Sequence, residues 1–175
     1  MHIDISREEE KALKEKITNR TDAEAVRIKR YLAMPDLSRT PGSPIYEIVE
    51  RVKQVPDFAD FDMINIPEIV PTKLVFDLFD FPPDHPARSA SDTYYIDDTH
   101  VLRPHDTVFW YYYLQTPEIK ERFARGEALG ALSYGKVYRK DEIDSRHMNV
   151  FHQLGGWYIV PESTPIEPEN LKNIL

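Results

Sequence analysis

Gly135-Lys136-Val137-Tyr138-Arg139-Lys140-Asp141-Glu142-Ile143-Asp144-Ser145-Arg146-His147-Met148-Asn149-Val150-Phe151-His152-Gln153-Leu154-Gly155-Gly156-Trp157 reads as two strands enclosing a charged loop. The spacing predicts strands over 131–140 and 150–160, with a polar loop over 141–149. Side chains alternate along a strand, so Val137, Arg139 and Asp141 share one face. On the return strand Phe151, Gln153, Gly155 and Trp157 do the same. A guanidinium on a rigid sheet suits a phosphate, because its planar fork pairs with two oxygens. Periodicity alone favours a surface hairpin with a salt bridge.

Outward from this hairpin the elements do not alternate as regular βαβ units. Towards the N-terminus, Asp106 to Leu114 predicts a helix carrying Phe109, Trp110, Tyr111, Tyr112 and Tyr113, an aromatic cluster suited to core or interface. A second helix follows Thr116-Pro117 and ends near Gly126. Residues 93–96 and 100–103 read as a hairpin around Asp97-Asp98. A short helix is expected over 72–78 and a strand over 61–66, ended by Pro67. Ser43-Pro44 opens a helix with the apolar stripe Ile45, Ile48, Val49 and Val52. Residues 35–42 read as a linker. Before them two helices are expected, one started by Ser6 and the following glutamates, the other capped by Thr21 or Asp22. A last helix is expected from Glu167. The fold class is α+β, an antiparallel sheet flanked by helices, with residues 1–34 as an N-terminal helical extension and 43–175 as the main domain.

The 175 residues suit one compact domain with an extension, and 41% hydrophobic with 30% charged residues is ordinary globular composition. Cysteine is absent, which removes disulfides, thiol catalysis and Cys-based zinc sites together. No apolar run spans a bilayer, and the start lacks a secretory h-region. Neither GxGxxG nor a P-loop pattern occurs, which removes the main support for Rossmann and P-loop folds. The net charge of −8 argues against indiscriminate nucleic-acid binding. Residues 11–30 are locally basic. Such a segment can meet phosphates, but a solvated helical face is the commoner use. His85 and His152 read as structural hydrogen-bonding groups, and no metal-ligand set stands out.

The hairpin resembles motif 2 of class II aminoacyl-tRNA synthetases, in the version of the phenylalanine–tRNA ligase alpha-subunit family. The matching runs are Gly135 to Arg139, Asp144 to His147, and Phe151 to Gln153. Asp84-His85-Pro86-Ala87-Arg88 with Asp92-Thr93, and Leu102-Arg103-Pro104-His105-Asp106-Thr107, resemble two further family blocks in the same order. The helix from Pro44 and the strand before Pro67-Glu68 resemble motif 1, which in the family builds the subunit interface. The resemblance implies a partial class II catalytic core that activates phenylalanine with ATP and Mg²⁺ and transfers it to tRNA(Phe). It implies a cytoplasmic oligomer assembled with a beta subunit. By the match, Arg139 holds the α-phosphate and attacking carboxylate, Asp141 faces the nucleotide, and His147 lies near the leaving phosphates. His105, Thr107 and Gln153 match positions around the amino acid.

The departures set expectations too. Ser91 stands where the family has an aromatic residue, Trp110 where it has glutamine, and Gly155 where it has glutamate. Amino-acid specificity is thereby open, with phenylalanine as the default. No glycine follows Gly156 and no arginine follows Arg146, so motif 3 is not among these residues. The expectation is either a truncated core inactive by itself or a non-catalytic synthetase-like module that binds nucleotide, RNA or a protein partner.

Overall fold

The computed structural model describes residues 1–174. Its centre is the hairpin of β5 (Leu129–Tyr138) and β6 (Val150–Ile159), antiparallel from Leu129 opposite Ile159 to Tyr138 opposite Val150. β2 (Asp62–Asn65) pairs parallel with β5, and β1 (His2–Asp4) pairs parallel with β2. The strand order is β1-β2-β5-β6. The sheet expected to be antiparallel is therefore mixed, because β2 and β1 reach it through helical crossovers rather than tight turns.

β5 is buried along nearly its whole length, as befits a strand paired on both sides and covered on both faces. β6 alternates half-buried with exposed residues and forms one edge. On one face lie α5 (Phe109–Gln115) and α6 (Pro117–Ala124), starting after a buried Asp106. Val108, Phe109, Tyr113 and Ile119 pack there with Ile64, Leu129 and Ala131, so the aromatic run is core as expected. The Tyr113 hydroxyl donates to Asp62 Oδ2 at 2.6 Å, which lets a buried aromatic keep its polar end satisfied.

The expected N-terminal helices are α1 (Glu8–Thr18) and α2 (Ala23–Ala33). Asp22 caps α2, its side chain accepting from the Ala25 amide at 3.0 Å. Leu13, Ile17, Ala25, Ile28 and Tyr31 share a second core with Ile69, Tyr94, Leu102 and Tyr138. The segment expected as a linker runs through a single 3-10 turn, Leu37–Arg39. α3 (Pro44–Lys53) starts at the Ser43 cap, but of its apolar stripe only Val49 is buried, and Ile48 is 58% exposed.

The hairpin expected over 93–103 forms, the Leu102 amide donating to the Tyr94 carbonyl and the Ile96 amide to the His100 carbonyl at 2.9 Å each, and its second arm also pairs on its other side. β4 (His100–Leu102) lies antiparallel to β3 (Ile69–Pro71), and residue 95 retains one bridge to Val101. Thr93 donates its hydroxyl to the Ala87 carbonyl, which anchors the preceding irregular segment. The expected 72–78 helix splits into α4 (Thr72–Val75) and a 3-10 turn, Asp77–Phe79. α7 (Pro168–Ile174) ends the description, and Leu175 lies outside the described residues. Among the described residues no helix is long and apolar enough to cross a membrane.

Candidate active site

Residues opposite one another in an antiparallel pair share a face. The register puts Arg139 beside Asn149, Val137 beside Phe151, and Gly135 beside Gln153. Arg139, Phe151, Gln153 and Gly155 thus form a row on the α5 side of the hairpin. Four residues of strand separate Arg139 from the level of Gln153, about 13 Å at ~3.3 Å per residue.

At the Arg139 end, Nε donates to the Pro104 carbonyl at 3.0 Å and the guanidinium lies over the Phe151 ring, 5.2 Å from its centroid. No carboxylate of the described residues lies within ion-pair distance, and among the described residues the two terminal nitrogens have no hydrogen-bond partner. They border an open cleft of about 300 Å³ with Asp141, Arg146, His147 and Met148. The structure therefore brings together three of the residues singled out from sequence, Arg139, Asp141 and His147. Asp144 organises the loop beneath them. One oxygen accepts from the Arg146 and His147 amides at 2.6 and 2.7 Å and pairs with His147 Nδ1 at 2.9 Å. The Arg146 amide and His147 hold its carboxyl below the usual range.

At the other end Thr107 and Gln153 line a second cavity, about 440 Å³, with Asp106, Phe109 and Gly155. Gln153 Oε1 accepts from the Asp106 amide at 2.8 Å, so that oxygen already has a protein partner. His105, expected alongside them, does not line this cavity. It is packed edge-on to Phe79 with ring centroids 5.0 Å apart, and its Nδ1 has no partner. Burial, reinforced by the nearby Arg139 charge, holds its pKa below the ordinary histidine value.

Of the departures, Trp110 packs on the core against Phe79. Ser91 borders a separate cavity of about 530 Å³ with Arg27, Arg30, Tyr94 and Lys140. Neither lines the Gln153 cavity. His152 faces away from the row and accepts from the Leu37 amide at 3.0 Å, while His85 Nδ1 accepts from Ala87. Both are structural, as the sequence suggested.

Sequence reasoning missed Asp106 and Arg103. Both are buried, with Arg103 Nη1 3.1 Å from Asp106 Oδ1. Arg103 Nε donates to the Lys136 carbonyl at 2.8 Å. Gly135 permits this, since a Cβ there would stand 2.3 Å from Arg103 Nη2. The signal available was a charge pair at i and i+3 around Pro104 and His105, next to a strand glycine.

An ATP-borne Mg²⁺ needs only one or two carboxylates besides the phosphates. Asp141 supplies a carboxylate on the Arg139 cleft, and Asp144 is committed to its loop, so the donor set fits a metal carried in on phosphates.

The family model of the tRNA synthetases class II core domain (F) matches residues 27–174. The chain is 38% identical over 108 residues to the phenylalanine–tRNA ligase alpha subunit of Malacoplasma penetrans, 62% of this chain and 29% of that one. It is 33% identical over 132 residues to that of Coxiella burnetii, 75% of this chain and 37% of the other. The matched part thus spans about a third of these relatives' length. Among solved structures, the pyrrolysyl-tRNA synthetase from Desulfitobacterium hafniense superposes with a TM-score of 0.51 at 21% identity, covering 74% of this chain and 43% of that one, a likeness of fold. With a family model covering most of its length, this chain belongs to the class II aminoacyl-tRNA synthetase core family.

Proposed function

We propose that this chain is part of the catalytic core of a phenylalanine–tRNA ligase alpha subunit, holding ATP at Arg139 and the amino acid at the Thr107–Gln153 cavity. The observation that carries the reading is the row on the β5–β6 face. A guanidinium with free terminal nitrogens and a separate cavity stand about 13 Å apart on one rigid hairpin. The alpha-subunit relatives support phenylalanine as the amino acid and tRNA(Phe) and a beta subunit as partners.

In this reading Arg139 pairs with α-phosphate oxygens and stabilises the charge that develops as the carboxylate attacks. Asp141 orients the nucleotide and would help to hold its Mg²⁺. His147, carried by the Asp144 loop, meets the leaving phosphates. Mg²⁺ would neutralise phosphate charge. Positioning supplies most of the remaining gain.

ATP–pyrophosphate exchange with each amino acid tests the reading. Residues 1–175 alone are expected to be silent. Loss of one preorganised cation costs about 10²–10³ in rate, and no family motif 3 arginine is among these residues. Joined to a family segment carrying motif 3 and mixed with a beta subunit, the chain should exchange with phenylalanine. Arg139→Ala should abolish that activity. A folded, extended assembly that stays silent, yet binds nucleotide, would replace the ligase with the non-catalytic module.

A further inference from the structure

The cavity of about 530 Å³ beside Ser91 lies outside the Arg139–Gln153 row, and no role above uses it. α2, the 89–94 segment and the root of the charged loop wall it, through Arg27, Arg30, Ser91, Tyr94, Lys140 and Asn149. Arg27 and Arg30 are exposed and three residues apart on α2, so they share one helix face with about 5–6 Å between their Cβ atoms. Among the described residues Arg27 pairs only with Glu24, 3.4 Å away, and that carboxylate is shared with Lys140. Arg30 pairs with no carboxylate among the described residues. Its guanidinium lies over the Tyr31 ring, 5.3 Å from the centroid. A chain of net charge −8 thus turns a cationic helix face into this cavity. The acid lining it, Asp141, stands at the rim shared with the Arg139 cleft.

The floor narrows the kind of anion. Tyr31 and Tyr94 are 3% and 1% exposed and meet edge-on, with Arg30 and Lys140 over their faces. Such rings offer no face on which a base of a nucleic-acid strand could stack. A walled cavity of this size suits a small molecule. Two planar forks one helical turn apart can pair with oxygens of adjacent phosphoryl groups. Asn149 makes the floor rigid: its Oδ1 accepts from the Tyr31 hydroxyl at 2.9 Å, and its Nδ2 donates to the Arg139 and Asp141 carbonyls at 2.9 and 2.8 Å.

We propose that this cavity is a second phosphate site, which binds a compact oligophosphate, inorganic or nucleoside-borne, through Arg27 and Arg30. The site is separate from the nucleotide site at Arg139 and does not depend on it.

Magnesium-free calorimetry of tripolyphosphate into the full 175-residue chain tests it. Two sites per chain are expected, one of them lost in Arg139→Ala. The other should weaken at least about tenfold when Arg27→Ala and Arg30→Ala are combined. Both side chains are exposed, and circular dichroism checks that the fold is kept. Arg27→Lys combined with Arg30→Lys keeps the charge without the forks and should recover only part of the affinity. ADP separates the two sources: tighter binding than tripolyphosphate at the α2 site names a nucleotide, equal or weaker binding names an inorganic oligophosphate, and either upholds the site. Tripolyphosphate binding unchanged in the alanine pair overturns the proposal, as does full affinity in the lysine pair, which marks diffuse attraction. A short single-stranded RNA that binds through these arginines when tripolyphosphate does not overturns it in favour of a nucleic-acid surface. An Arg139-dependent site alone overturns it and leaves the nucleotide reading standing, while an α2 site alone does the reverse.

Discussion

Asp36 shows how a single residue couples the hairpin to the preceding segment. Burial works to raise its pKa, but the contact with His152, hydrogen bonds from Ser38 and the Arg39 charge outweigh it and hold it at about 2. Its oxygens lie 3.3 Å from His152 Nε2 and 3.3 Å from Arg39 Nε. A carboxyl depressed from ~3.9 in the unfolded chain adds stability that is complete above that value and is lost as pH falls towards about 2. Asp36→Asn should therefore cost of the order of 1–2 kcal/mol at neutral pH and flatten the acid limb between pH about 4 and 2. Urea titrations across that range read this directly, and parallel curves for variant and wild type would contradict it. At this scale the sequence was legible where a residue's type limits its use. Arg139 is such a case in its placement: it stands one residue past β5 and borders the cleft. Asp106 was not legible, because its burial depends on α5, Gly155 and Arg103 meeting, and no local pattern encodes that meeting.

The element that ties the N-terminal helices to the sheet is β5, through Lys136. This side chain is 3% exposed and ends against the last turn of α2, donating to the Leu32 and Met34 carbonyls at 3.2 and 2.8 Å. Glu68 lies 3.0 Å away. Carbonyls at a helix C-terminus lack internal donors and carry partial negative charge, so a cation there serves both needs. Lys136→Met should cost about 2–3 kcal/mol and expose the residue 1–34 segment to limited proteolysis at lower urea than wild type. Unchanged proteolysis would show that the apolar core alone holds α1 and α2. The long strands and amphipathic helices were readable from periodicity because their own residues carry the signal. β1 was not, since His2-Ile3-Asp4 has one apolar residue and becomes a strand only by pairing with β2. The 93–103 hairpin was legible from its own residues, but the second pairing of β4, with β3 some thirty residues earlier, was not.

For the molecule as a whole, two surfaces are unfinished. β6 leaves one edge of the sheet unpaired, and α3 keeps Ile48 exposed beside half-buried Ile45 and Val52. Unpaired edges and apolar stripes favour association. Sedimentation at about tens of micromolar should show self-association that Ile48→Glu weakens, and a sharp wild-type monomer would contradict that. The central claim is that the β5–β6 hairpin presents a nucleotide site through Arg139. Its most direct test is calorimetric titration of ATP into the folded chain and into Arg139→Ala, with circular dichroism confirming both folds. The account predicts saturable wild-type binding that weakens about tenfold or more in the variant, the loss of a charge-assisted contact worth about 1.5–3 kcal/mol. Equal binding by the two proteins, or none by wild type, would contradict it.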